Sequence, residues 1–157
     1  MTRIMFVCHG NICRSPMAEF IFKYILKNEG IEDCFTVSSS ATSTEEIWNG
    51  IGNPIYPPAR EELERRKIPF SDRRAVQLKK SDYEKYDLFI GMDAANIRNM
   101  KNIFGADPEG KVKKLLDYTT RGGDVADPWY TGNFSLTYEN IYEGCRALLK
   151  SLNNEKK

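Results

Sequence analysis

The sequence is poor in several things, and each scarcity narrows its function. It has one histidine, His9, in 157 residues. It has four cysteines, Cys8, Cys13, Cys34 and Cys145, too few and too scattered for a disulfide framework in a chain this long. Cys8, Cys13 and His9 fall short of the four ligands of a structural zinc site, and no paired Cys/His motif stands elsewhere. No run approaches the ~20 apolar residues that span a bilayer, and the apolar stretch Ile4–Val7 is too short for a signal-peptide core. Excess charge is missing too: 23 basic and 22 acidic residues leave a net charge of +1. That balance gives no general attraction to nucleic acid or to an anionic membrane. The Gly-x4-Gly-Lys-Ser/Thr loop of nucleotide hydrolases is absent. A cytoplasmic protein is expected, whose anion recognition is confined to a local site.

What is present is a chain of ordinary composition, 41% hydrophobic and 29% charged, long enough for one domain over residues 1–157. The run Arg3–Val7 reads as a buried strand, and Phe35–Ser38, Tyr86–Gly91 and Val112–Leu116 as three more. Met17, Phe20, Ile21, Tyr24 and Ile25 recur at helical spacing, with Ser15 expected as N-cap, Pro16 as first helical residue and Gly30 as stop. Residues 58–66 read as a charged helix. Asp93 reads as the cap of a helix with Ile97, Met100 and Phe104 on its core face, and Tyr138 to Leu152 define a last amphipathic helix before a frayed Asn-Asn-Glu-Lys-Lys end. Residues 38–58, rich in Ser, Thr, Gly, Asn and Pro, read as a long functional loop. Strands alternating with helices predict an α/β fold with a parallel sheet and helices on both faces. Ligands of such sheets sit at the carboxyl ends of strands, and the first strand ends at Cys8.

The segment Cys8-His9-Gly10-Asn11-Ile12-Cys13-Arg14-Ser15 joins that strand to the first helix. A loop in this position can turn its backbone N–H groups inward around an anion, with the helix N-terminus adding positive potential. Gly10 and Asn11 tolerate the left-handed backbone such a curl needs. Cys8 lies at the base of the cup, where N–H groups and the helix dipole favour a thiolate nucleophile. Arg14 has the planar fork that holds two phosphate oxygens, and Ser15 can donate a hydrogen bond to the sulfur. Cysteine at a strand end is by itself more often a small core residue; the Cys-x5-Arg-Ser spacing at a strand–helix junction is what favours chemistry. A departing alkoxide or phenolate needs a proton, and Asp127 in Asp124-Val125-Ala126-Asp127-Pro128-Trp129-Tyr130 is the candidate donor. Glycines on either side mark a loop able to fold over a pocket, and Trp129 and Tyr130 can flank a flat aromatic substrate.

With these residues the sequence resembles the low-molecular-weight protein-tyrosine phosphatases, through Val7–Glu19 and Asp127-Pro128-Trp129-Tyr130, with Ser39, Met92-Asp93 and Asn96 as further matches. The resemblance implies a four-stranded parallel sheet, no metal or other cofactor, and phosphotyrosyl proteins as substrates of a monomer. It implies a cysteinyl-phosphate intermediate at Cys8, with Asp127 as acid and then base. Asn11 and Ser39 would brace the loop, and Asp93 would support it. Cys13 would form a reversible disulfide with Cys8. Trp48 would form one wall of the cleft, with Ile47 or Tyr56 as alternatives, and Trp129 and Tyr130 the other; His9 would point outward along it. Where many relatives have a histidine, the run Ser71-Asp72-Arg73-Arg74-Ala75 offers Arg73 or Asp72. Phosphoarginine phosphatases resemble the chain but carry threonine where Ile12 stands. Thiol-linked arsenate reductases need a cysteine relay, and no cysteine lies between 35 and 144. A phosphoprotein-binding module would lack the nucleophile or the acid.

Overall fold

The computed structural model describes residues 1–155. Four parallel strands form the main sheet in the order β2-β1-β5-β6: β1 is Thr2–Cys8, β2 Phe35–Ala41, β5 Leu88–Gly91 and β6 Val112–Lys114. The central strand β1 alternates its side chains between two cores. Ile4, Phe6 and Cys8 face α1 (Arg14–Asn28), α2 (Pro57–Arg65) and α5 (Phe134–Glu155). Met5 and Val7 face α3 (Ala94–Phe104), packing with Phe89, Met100 and Phe104. The predicted α/β class and four-stranded parallel sheet with helices on both faces are thus observed.

The chain leaves β1 through α1 to reach β2 on one side, and later crosses to β5 on the other. The crevice at the carboxyl ends of β1 and β5 is therefore where the winding reverses, the place where open α/β sheets bind ligands. The Cys8–Ser15 loop lies on one side of it and the Met92-Asp93 turn on the other.

Several boundaries differ from the sequence reading: β5 begins at Leu88 rather than Tyr86, and β6 ends at Lys114, with Leu115 and Leu116 in a 3-10 turn. Helix α1 begins at Arg14 with Cys13 as its cap position, so Ser15 is inside the helix and not its N-cap. Its hydroxyl is taken up by Cys8 and Asn11 instead. Strand β2 runs on to Ala41, three residues past the expected end. The long 38–58 loop contains a two-stranded hairpin, β3 (Ile47–Trp48) and β4 (Ile51–Gly52). Its turn is Asn49-Gly50, both with positive φ of 51° and 77°, the pairing that a type I′ turn demands. Asp93 caps α3 as expected, accepting the Asn96 N–H at 2.8 Å. Of the expected frayed end, Asn153 and Asn154 continue α5, and Lys156 and Lys157 lie outside the described residues. Among the described residues no helix is long and apolar enough to cross a membrane.

Candidate active site

The floor of the site is the loop from Cys8 to Arg14. Cys8 is 4% exposed, and its sulfur lies 3.0 Å from Ser15 Oγ and 3.3 Å from the Asn11 N–H that donates to it. Asn11 Nδ2 donates to Ser15 Oγ at 2.8 Å. That leaves the serine proton free to point at the sulfur. Asn11 has a φ of 60°, the left-handed conformation that asparagine accepts more readily than most residues. Gly10, expected to share it, does not have positive φ; a side chain there would meet Glu46 Cγ at 3.1 Å, so close approach is what its small size serves.

A buried network fixes Asn11. Its Nδ2 also donates to Ser39 Oγ at 3.0 Å, and Ser39 donates to Glu19 Oε1 at 2.6 Å. Its Oδ1 accepts from the Val76 N–H at 3.0 Å and from Arg73 Nη2. Arg73 further donates to Ser39 Oγ and pairs with Glu19 at 2.6 Å. Of the two residues offered in place of the relatives' histidine, Arg73 therefore enters the brace. Asp72 points away, to Arg60 at 2.9 Å. Glu19 was legible only as part of the family signature; the contact with Arg73 spans 54 residues and has no local signal.

Arg14 is 4% exposed. Its Nη1 donates to Asp93 Oδ2 at 2.9 Å and to the Val125 carbonyl at 3.2 Å, and its Nη2 lies 3.5 Å from Asp127 Oδ2. Burial alone would lower its pKa, but Cys8, Asp93 and Asp127 outweigh that and raise it. The guanidinium is held as a cation above the loop. Asp127 caps the short α4 (Pro128–Thr131), accepting the Trp129 N–H at 3.0 Å. The residue before it is clamped on both sides: the Ala126 N–H donates to Asn140 Oδ1 at 3.0 Å, and Thr137 Oγ1 donates to the Ala126 carbonyl at 2.9 Å. Asn140 and Thr137 are both buried on α5, a positioning role that the sequence did not announce.

These groups share one cleft of about 620 Å³. Asp93, Asn96 and Asn99 form one side, and Asp127, Trp129 and Tyr130 another. Tyr130 is 90% exposed, while the Trp129 ring rests on Tyr56 at 4.8 Å. The remaining wall corrects the sequence reading. Trp48 does not line the cleft: it is 80% exposed on the hairpin, where its cross-strand partner is Ile51. Glu45 and Glu46 line that wall instead, and Ile47 is not among the lining residues. Tyr56 stands behind Trp129 rather than at the surface of the cleft. His9 points outward, with Nε2 at 3.0 Å from Glu45 Oε2. Ile12 and Cys13 line the floor but are mostly buried. Burial, then the proximity of Cys8, raises the Cys13 thiol well above its ordinary pKa, so it stays protonated at neutral pH. Among the described residues, no group of three or more His, Cys, Asp and Glu side chains is placed to hold a metal ion.

A thiol with two hydrogen-bond donors, a captive guanidinium and a carboxyl group around one anion-sized cup can carry out transfer of a phosphoryl group to sulfur. Comparison with known proteins agrees. The model of the family described as low molecular weight phosphotyrosine protein phosphatase matches residues 3–157. The chain is 39% identical to low molecular weight protein-tyrosine-phosphatase YfkJ of Bacillus subtilis over 158 residues, covering 99% of both proteins. It is 35% identical to PtpA of Staphylococcus aureus over 150 residues, 95% of this chain and 92% of the relative. The crystal structure of YfkJ superposes with a TM-score of 0.92 at 38% identity, covering 100% of this chain and 98% of the other. That of SP-PTP, from Streptococcus pyogenes, superposes with a TM-score of 0.86 at 35% identity, covering 97% and 93%. The sulfur, the buried arginine and the capped aspartate thus stand in a chain that belongs to the low molecular weight phosphotyrosine protein phosphatase family.

Proposed function

We propose that this protein hydrolyses phosphotyrosine in proteins, and small aryl phosphates, in two steps through a cysteinyl-phosphate on Cys8. The observation that carries this reading is the convergence on one cleft of Cys8 and Arg14, from the loop after β1, with Asp127 from a distant part of the chain. In the first step the Cys8 thiolate attacks phosphorus; the S–P bond forms, the P–O bond to the tyrosine ring breaks, and Asp127 gives its proton to the departing phenolate. In the second, water attacks phosphorus, Asp127 takes the water proton, the S–P bond breaks and inorganic phosphate leaves. The Ser15 hydroxyl and the Asn11 N–H stabilise the sulfur anion as attacking and as leaving group. Arg14 turns its fork to the equatorial oxygens, and its ties to Asp93 and the Val125 carbonyl pre-orient it.

The aromatic substrate class is supported by Trp129 and Tyr130 at the cleft mouth and by Ile12, whose apolar side chain stands where phosphoarginine phosphatases carry threonine. The residues in these roles all belong to one α/β unit, read here as a single domain acting as a monomer. A thiolate nucleophile beside a second free thiol suits the reducing cytoplasm.

The test compares a phosphotyrosine peptide with phosphoarginine, without added metal, using the wild-type protein, Cys8→Ser and Asp127→Asn. Phosphotyrosine should turn over, phosphoarginine should not, Cys8→Ser should be inactive, and Asp127→Asn should lose roughly 10²–10⁴-fold in kcat. Full activity in Cys8→Ser would overturn the mechanism. Preference for phosphoarginine would overturn the substrate class alone.

A further inference from the structure

Segment 42–46 stands on the catalytic loop. The Thr42 N–H donates to the Cys8 carbonyl at 3.0 Å, and Ser43 gives both its N–H, at 3.0 Å, and its Oγ, at 2.9 Å, to the His9 carbonyl. These bonds bring Glu45 and Glu46 to the rim of the cup. Glu46 comes so near that a side-chain carbon at Gly10 would lie 3.1 Å from its Cγ. Each carboxylate is then fixed by a contact of its own. Glu45 Oε2 lies 3.0 Å from His9 Nε2, and Glu46 Oε2 accepts from Asn53 Nδ2 at 2.7 Å.

The charges of the cleft do not balance. Its lining holds four carboxylates, Glu45, Glu46, Asp93 and Asp127, against one arginine and no lysine. Asp93 and Asp127 share that arginine, Arg14, at 2.9 and 3.5 Å. Among the described residues neither Glu45 nor Glu46 pairs with a lysine or arginine. Asn53 is neutral, and His9 is charged only when protonated. Two such carboxylates on the rim of an anion cup raise the cost of every phosphate that enters, because like charges repel. A substrate offsets that cost by bringing a cation of its own to the same wall, and a substrate with further negative charge pays it twice.

We propose that Glu45 and Glu46 are specificity-determining residues, which select phosphotyrosine flanked by lysine or arginine and disfavour it in acidic sequence. The inference rests on the phosphate entering the Cys8–Ser15 cup as proposed above. Each glutamate keeps one oxygen, Oε1, that neither His9 nor Asn53 uses, and the Glu45 side chain is 70% exposed at the mouth. The glutamates act on the residues beside the phosphotyrosine, while Cys8, Arg14 and Asp127 act on the phosphate.

The test measures kcat/KM for p-nitrophenyl phosphate and for two phosphotyrosine peptides that differ only in carrying lysine or glutamate on both sides of the phosphotyrosine. The wild-type protein is compared with Glu45→Gln/Glu46→Gln, in which glutamine keeps the shape of both side chains and still accepts the Asn53 hydrogen bond. The wild type should favour the lysine peptide about tenfold, as two rim charges allow, and by less at high salt. In the double variant the preference should fall to about twofold or below, chiefly because the glutamate peptide gains. Binding of the two peptides to Cys8→Ser should rank them in the same order. Equal kcat/KM for the two peptides in the wild type, or a lysine preference that the double variant retains in full, overturns the proposal. Failure of p-nitrophenyl phosphate to react would strike the catalytic reading instead; binding to Cys8→Ser then decides this one, and equal affinities overturn it.

Discussion

Replacing Arg73 by alanine separates what the brace does for stability from what it does for the loop. Arg73 is mostly buried, and its guanidinium holds Glu19, Ser39 and Asn11 together. Removing one partner of a buried ion pair commonly destabilises by ~3–5 kcal/mol. Here Glu19 keeps the Ser39 hydroxyl at 2.6 Å and the half-exposed Lys23 at 2.7 Å. The expected loss is therefore smaller, about 2 kcal/mol, since the carboxylate is left with two hydrogen bonds rather than none. The loop also keeps part of its support, because Asn11 Oδ1 still accepts the Val76 N–H. Its side-chain amide nevertheless loses its strongest donor. We expect kcat on an aryl phosphate to fall about tenfold, equivalent to ~1.4 kcal/mol of transition-state stabilisation, with KM changed little. Urea denaturation reads the first effect and steady-state kinetics the second. Glu19→Gln in the Arg73→Ala background should restore part of the stability by removing the uncompensated charge, and none of the activity. If it restores both equally, Arg73 acts only by neutralising Glu19. If kcat stays at the wild-type value while stability falls, the argument that Arg73 positions Asn11 is wrong.

Other outcomes follow from single contacts. Peroxide should inactivate the protein by oxidising the Cys8 thiolate to a sulfenic acid; the Cys13 thiol then attacks the Cys8 sulfur, the S–O bond breaks with loss of water, and a disulfide forms. Cys13→Ser should make recovery with thiols incomplete, and equal recovery would refute the pairing. A side-chain carbon at Gly144 would lie 2.5 Å from the buried Leu115 Cγ, so Gly144→Ala should lower stability by roughly 1 kcal/mol even after alanine's helix-forming advantage. A gain in thermal stability would show that Leu115 moves aside freely. Burial favours the neutral form of Asp107, but hydrogen bonds from Tyr83 Oη and the N–H groups of Lys111 and Val112 prevail and hold its pKa below the ordinary 3.8. A carboxyl lowered by folding stabilises fully above 3.8, and that stabilisation fades as pH falls through the folded value. The stability gap between wild type and Asp107→Asn should therefore be constant near neutrality and close in acid; a gap that widens in acid would reverse the assignment.

The parts of this fold legible in the sequence are those whose signal is local. Apolar runs marked β1, β5 and β6, helical spacing marked α1 and α3, and the Cys8–Ser15 spacing marked the cup. Ser15 was misplaced because serine before proline signals a cap, whereas here the sulfur competes for its hydroxyl and wins. The hairpin at 47–52 was overlooked because each strand is two residues long, too short for periodicity; Asn49-Gly50 between Trp48 and Ile51 was the available signal. The wall fell to Glu45 and Glu46 rather than Trp48 because the hairpin carries the tryptophan out to solvent. The clamps on Ala126 and the contacts of Arg73 join distant parts of the chain, and no local pattern encodes them.

Asp93 illustrates how narrowly one position can be specified. As a helix cap alone it could be exchanged for serine, threonine or asparagine, which bind the orphan N–H about as well. As a partner for Arg14 alone it could be exchanged for glutamate. It does both at once, one oxygen on the Asn96 N–H and the other on the guanidinium. Serine would keep the helix and free the arginine, while glutamate would keep the charge and reach past the cap. Mutational drift at residue 93 thus has no neutral neighbour: each single step that spares the scaffold disturbs the chemistry, and the reverse.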